Sequence, residues 1–180
     1  MTQATPAPHR GSRKTRIVLW TIAFVLMALV ARHQRRTGPT YPLGVDYAVA
    51  GASHHAELVR TGETDEAAVV EIPTVPDGWT ATLHWRRYPT GDDYTPVAMV
   101  VSADDEEVLV APLPIQPAAG KVEYFVELAG AGEPVRLPAM ADDDPVLRYK
   151  DPVPLGVLLP HVLFMFLSMR IGVRAGLGAL

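Results

Sequence analysis

Lys121-Val122-Glu123-Tyr124-Phe125-Val126-Glu127-Leu128 is the stretch that decides the fold of this chain. Val122, Tyr124, Val126 and Leu128 alternate with Lys121, Glu123 and Glu127. A period of two with one apolar face marks a half-buried antiparallel strand. Only Phe125 breaks the polar side. Thr80–Trp85 repeats the pattern, with Ala81, Leu83 and Trp85 on one face and Thr80, Thr82 and His84 on the other. Further out, the candidate strands are Val45–Ala50, His55–Arg60, Ala67–Ile72, Val97–Val101, Val108–Ala111 and Val146–Tyr149. Turn signals separate them at Pro76-Asp77-Gly78, Thr90-Gly91-Asp92-Asp93, Ala103-Asp104-Asp105, Pro117–Gly120 and Gly130-Ala131-Gly132. Nothing between Tyr41 and Pro154 sustains a 3.6-residue period. Seven or eight strands at this spacing predict an antiparallel β-sandwich, and about 110 residues suffice for its core.

Within this region, Leu83-His84-Trp85-Arg86-Arg87-Tyr88 leads through an Asp-rich turn to Tyr94-Thr95-Pro96-Val97-Ala98-Met99. A Leu113-Pro114-Ile115-Gln116-Pro117-Ala118-Ala119-Gly120 turn then enters the Tyr124-bearing strand. This resembles the immunoglobulin-like, fibronectin type III-like accessory domains appended to bacterial exported proteins. The resemblance covers residues of about 80–128 and implies a non-catalytic module for spacing or contact, with Leu113, Gly120 and Tyr124 as core and turn residues. Membrane segments on both sides are not part of that family's pattern.

Two such segments enclose the domain. Ile17–Ala31 is free of charge, and so is Val153–Met169. As a helix, the first rises about 22 Å, short of the roughly 30 Å hydrocarbon core. Arg16 and Arg32 at its ends can snorkel, and Trp20 suits an interface position, so the segment is expected to span. The competing reading is a cleaved signal peptide, but cleavage after Ala31 would place Leu29 and Arg32 at its flanks, a poor small-residue site. The expected organisation is a basic cytoplasmic N-terminus (1–16), a signal anchor (17–31), a linker (32–44), the β domain (45–151) and a second membrane helix (153–180). Asp151-Pro152-Val153-Pro154 leaves little slack, which predicts that the domain sits against the headgroups. Pro160 is expected to interrupt the second helix. The chain ends Gly176-Leu177-Gly178-Ala179-Leu180, so either this tail lies along the interface or further membrane segments follow.

Charge supports this layout. Residues 1–40 hold seven Lys/Arg and no acid, residues 41–154 carry a net −13, and only Arg170 and Arg174 follow. The acidic middle argues against nucleic acid, whose phosphates it would repel. The basic flanks suit anionic headgroups, and their balance favours a cytoplasmic N-terminus. The expected location is a bacterial inner (cytoplasmic) membrane, with the main domain periplasmic or otherwise extracytoplasmic. No Cys is present, which excludes disulfides, thioether haem attachment, thiolate metal sites and thiol catalysis.

Few motifs carry chemistry. Ser168, Gly172 and Gly176 fall four apart, a small-residue row that lets another helix approach, within this protein or from a partner. Arg16, Trp20, Arg32, Arg170 and Arg174 are the expected membrane-interface anchors. His161, Met165 and Met169 share one helical face, and imidazole with thioethers would suit copper or haem iron. Interfacial packing explains the same residues. His54 and His55 beside Glu57 are expected to be an exposed loop pair. Asp142–Asp144 and Asp104–Glu107 lack the spacing and Gly of a Ca²⁺ loop and are expected to be solvated turns. Ser53, His54 and Asp46 have a triad's residue types without its elbow, and Gly130-Ala131-Gly132 opens no helix that could hold phosphate. The resulting expectation is a non-catalytic, membrane-anchored interaction or scaffold protein that needs no cofactor. Its partners would be the bilayer and other integral membrane proteins of a larger complex. The alternative is a metal- or haem-handling redox protein.

Overall fold

The computed structural model describes residues 12–179. Two helices, α1 (Arg13–Thr37) and α2 (Leu155–Ala179), form one unit, and Gly38–Pro152 forms a second. The second unit holds strands β1 (Leu43–Val49), β2 (Ala52–Leu58), β3 (Thr61–Glu63), β4 (Val69–Pro73), β5 (Thr80–Arg87) and β6 (Thr95–Ala98). They are followed by β7 (Val100–Val101), β8 (Val108–Pro112), β9 (Lys121–Ala129), β10 (Val135–Leu137) and β11 (Val146–Lys150).

β9 is the organising strand, as its alternation requires: Val122, Tyr124, Val126 and Leu128 are all fully buried. β5 pairs along one edge of it, from Thr80 opposite Ala129 to Arg87 opposite Val122. The other edge is divided, with β11 against Lys121–Glu123 and β10 against Val126–Leu128. The resulting six-stranded sheet runs β3-β11-β9-β5-β6, with β10 beside β9. A three-stranded sheet, β4-β8-β7, and a hairpin, β1-β2, complete the domain. Inward residues of all three sheets meet in one apolar cluster, including Val49 and Leu58, Val70, Ile72 and Ala111, and Leu83, Leu113, Leu147 and Tyr149.

Three expectations change. The β3–β11 ladder is parallel, so the domain is not purely antiparallel. Parallel pairing needs a long connection, and nearly the whole domain lies between these strands. β3 and β10 escape a periodicity test because three residues cannot display a period. The single strand expected over Val97–Val101 is two: β6 pairs β5, whereas β7 pairs β8 in the other sheet. The chain changes sheets at Met99, which is buried and donates its N–H to the Ala81 carbonyl at 3.0 Å. Pro96, which has no N–H to give a ladder, lies in β6 at the sheet edge.

The β1–β2 turn is made by Ala50 (φ 49°) and Gly51 (φ 82°). Positive φ at both central residues is the type I′ turn that matches strand twist, where Asn-Gly is the preferred pair. Replacing Ala50 by Asn should therefore stabilise the domain by about 0.5–1 kcal/mol, read as a higher urea midpoint. A lower midpoint would contradict the left-handed conformation at Ala50. At the opposite extreme of space, a Cβ on Gly130 would collide with the Trp79 indole, so this glycine is required by close approach.

In the first unit, α1 continues through Thr37 and β1 begins at Leu43, so the expected 32–44 linker shrinks to Gly38–Pro42. Arg35 and Arg36 occupy the last turn of α1, where cations suit the carbonyl end of the helix dipole. α2 passes through Pro160 without ending; the proline lies in the second turn, where one intrahelical bond is lost. Both helices are long and apolar enough to cross a membrane.

Candidate functional site

Two places bring chemically distinctive side chains together, one in each unit. The first is an end of the helix pair. Ala23 and Met27 are the buried residues of α1, and half-buried Trp20 and Ala31 continue the same stripe. On α2 the less exposed positions are Val162, Phe166, Met169, Arg170, Val173, Arg174 and Leu177. Trp20, near the start of α1, meets Arg170 and Arg174, near the end of α2, so the helices run antiparallel. The Arg170 guanidinium lies 5.1 Å from the Trp20 ring centroid and 5.7 Å from that of Phe24, and Arg174 lies 5.9 Å from Trp20. Arginine over an aromatic face is a favourable cation–π arrangement.

Trp20, Arg170 and Arg174 thus belong to one constellation, while Arg16 and Arg32 are exposed. Ser168, Gly172 and Gly176 are exposed as well, and a Cβ on either glycine would meet nothing within 4 Å. The small-residue row is therefore not the surface that packs α2 on α1; larger side chains on a neighbouring stripe do that. His161 and Met165 are exposed and Met169 is half-buried. Among the described residues no group of three His, Asp or Glu side chains is placed to hold a metal.

The second place is the outer face of the six-stranded sheet, where Phe125 projects. His84 is its cross-strand partner, and the two rings stack at 4.7 Å and 4°. Tyr94 meets Phe125 edge-on at 5.0 Å, and the Arg136 guanidinium lies 3.9 Å above the ring. Charges close the cluster. Arg86 donates through Nε to Glu123 Oε2 at 2.7 Å, with Nη2 2.6 Å away. Arg136 donates through Nη2 to Asp144 Oδ2 at 2.7 Å and through Nη1 to the Pro138 carbonyl at 2.8 Å. The Tyr94 hydroxyl lies 3.2 Å from both carboxylates, Glu123 Oε2 and Asp144 Oδ2. Burial, then the negative charges of Asp144 and Glu123, push the Tyr94 phenol up to about 12. Two arginines and two acids offset each other here, so the patch is charge-balanced.

Asp144 alone departs from the expectation of solvated acidic turns: its side chain is only 2% exposed, whereas Asp142, Asp143 and Asp104–Glu107 are exposed. The isolated Phe125 in an otherwise polar face was the one sequence signal of this cluster, since Tyr94, Arg136 and Asp144 arrive from distant segments. His54 and His55 lie on β2 and not in a loop. His55 Nδ1 is 2.6 Å from Asp46 Oδ1, whereas His54 stacks on Tyr47 at 5.5 Å. Asp46 therefore engages the neighbouring histidine and not the one a Ser53 triad would use. No protein-family model matches the chain, and no curated protein matches it.

Proposed function

We propose that this chain is a membrane-anchored interaction protein, an accessory or scaffold subunit of a larger membrane complex. One observation carries the reading: an acidic β domain is joined at both ends to helices apolar enough to span a bilayer. Lipid is the solvent that satisfies such helices, since leucine, phenylalanine and valine side chains cover their exposed surfaces. The balance of Lys and Arg supports an N-terminus in the cytoplasm of a bacterial cell and a β domain outside the cytoplasmic membrane. An immunoglobulin-like, fibronectin type III-like sandwich is the arrangement we assign to that domain. Its support is the shared core of the sheets and the crossing of the chain from one sheet to another at Met99. The charge-balanced outer face around Phe125 suits contact more than reaction.

Sodium carbonate washing of membranes should leave the intact chain in the pellet, and release into the supernatant would remove the reading altogether. Purification in a gentle detergent followed by mass spectrometry should then identify a stoichiometric integral membrane partner. A lone chain under those conditions would refute the accessory-subunit role while leaving the anchoring intact.

A further inference from the structure

The basic end of the helix pair has features that general membrane anchoring does not require. Arg170 and Arg174 sit one turn apart on α2, and both lie against Trp20. Like charges at this spacing repel, and the repulsion grows where water is scarce. Their Nε atoms are buried and have no hydrogen-bond partner among the described residues. A buried N–H without an acceptor is costly, and among the described residues these two cations are offset only by the Trp20 and Phe24 rings. Neither α1 nor α2 contains an acid that could serve. Arg13 and Arg16 approach the same tryptophan, lining with it and Ile17 a recess of about 450 Å³. Beside it runs a groove of about 600 Å³ walled by Ile17, Trp20, Phe24, Leu167 and Arg170. Cations thus gather beside a shallow, largely apolar groove.

We infer that this end of the helix pair binds an anionic phospholipid. Its phosphate would be held by Arg170 and Arg174 with Arg13 and Arg16 nearby, and an acyl chain would lie along Ile17, Phe24 and Leu167. Guanidinium forks match phosphate oxygens in pairs, and basic pockets between membrane helices are suited to anionic headgroups. Trp20 bridges the two halves of the ligand, apolar on its ring face and polar at its N–H. Charge complementarity selects an anionic lipid over a zwitterionic one, and the apolar groove selects a lipid over free phosphate. The opposite end of α1 also carries three arginines, Arg32, Arg35 and Arg36, yet among the described residues none of them lies over an aromatic ring. That contrast separates a built site from general attraction to headgroups. The inference rests on α1 and α2 being membrane spans and adds a specific ligand to them.

The test is native mass spectrometry of the full chain in mild detergent, with dioleoylphosphatidylglycerol and dioleoylphosphatidylcholine supplied at equal concentration. One phosphatidylglycerol should be retained, about tenfold more often than phosphatidylcholine. The variant R170Q/R174Q should lose that preference. R170K/R174K keeps both charges and thus the insertion signal, but removes the forks; its retention should fall about threefold to tenfold. R32Q/R35Q removes as much charge from the other end and should change retention less than about twofold. Equal retention of both lipids, an equal loss in R32Q/R35Q, displacement by millimolar inorganic phosphate, or a lipid-free dimer would each overturn the assignment. Carbonate extraction of the same variants keeps the two readings apart, because a chain that stays in the pellet without lipid preference fails only this one.

Discussion

R136A is expected to destabilise the β domain by about 3–5 kcal/mol, the cost of leaving one member of a buried ion pair alone. Asp144 is almost wholly shielded from water, at 2% side-chain exposure. Its Oδ2 takes a 2.7 Å hydrogen bond from Arg136, while its Oδ1 is buried without a partner. With the guanidinium gone, the hydrogen-bond partner left to Oδ2 among the described residues is the Tyr94 hydroxyl, at 3.2 Å, for which Glu123 competes, and the nearby Arg86 cation is already paired with Glu123. The same change uncovers the Phe125 ring and frees the Pro138 carbonyl. Removing both charges is the informative control. R136L/D144N retains apolar cover and no buried ion, so it should recover more than half of the loss. Urea unfolding of the full chain in detergent, followed by near-ultraviolet circular dichroism, measures both. A single variant within about 1 kcal/mol of the parent would show that the pair behaves as an exposed one.

Tyr124 is the second large effect. Its ring is fully buried at the centre of β9, and its hydroxyl donates to the Val59 carbonyl at 2.7 Å. Y124A should cost about 3–5 kcal/mol through lost burial and a cavity, while Y124F isolates the hydroxyl at about 1–2 kcal/mol. The phenol also governs alkaline stability. Burial raises the pKa of Tyr124, as it does for Tyr47, Tyr94 and Tyr149, the Tyr94 phenol reaching about 12. The neutral phenol is the form these sites favour. Their contribution is therefore complete below the unfolded value of about 10 and is lost as pH rises from there toward the folded values. The urea midpoint should hold steady to about pH 9 and then decline, less steeply in Y124F than in the parent. An unchanged midpoint at pH 11 would contradict the burial of these phenols.

Both effects start from β9, yet only one could be read from its sequence. The alternation of Val122, Tyr124, Val126 and Leu128 is a local pattern, and local patterns survive into the fold because each strand must bury one face. The same logic located β5, β8 and β11 to within a residue or two. It could not find β3 or β10, or the change of sheet at Met99, because those depend on which edge another segment leaves open. Phe125 was visible as an exception. Its partners were not: Asp144 is nineteen residues away in an acidic run that looks solvated, and Arg136 belongs to a three-residue strand. On α2, spacing alone offered two stripes, Ser168 with Gly172 and Gly176, and His161 with Met165 and Met169. Neither is the one that faces α1, which holds Phe166, Arg170, Val173 and Arg174.

From its residues alone this protein is a β domain between two apolar helices, with acid in the middle and base at the flanks. Those properties follow from period and composition, which each segment carries whatever its neighbours do. Which strands share an edge, which carboxylate loses its water and which cations gather on Trp20 are decided only when distant segments meet. Hydrogen-bond ladders, desolvation and cation–π contact depend on separation in space, and a linear order of residues does not contain it.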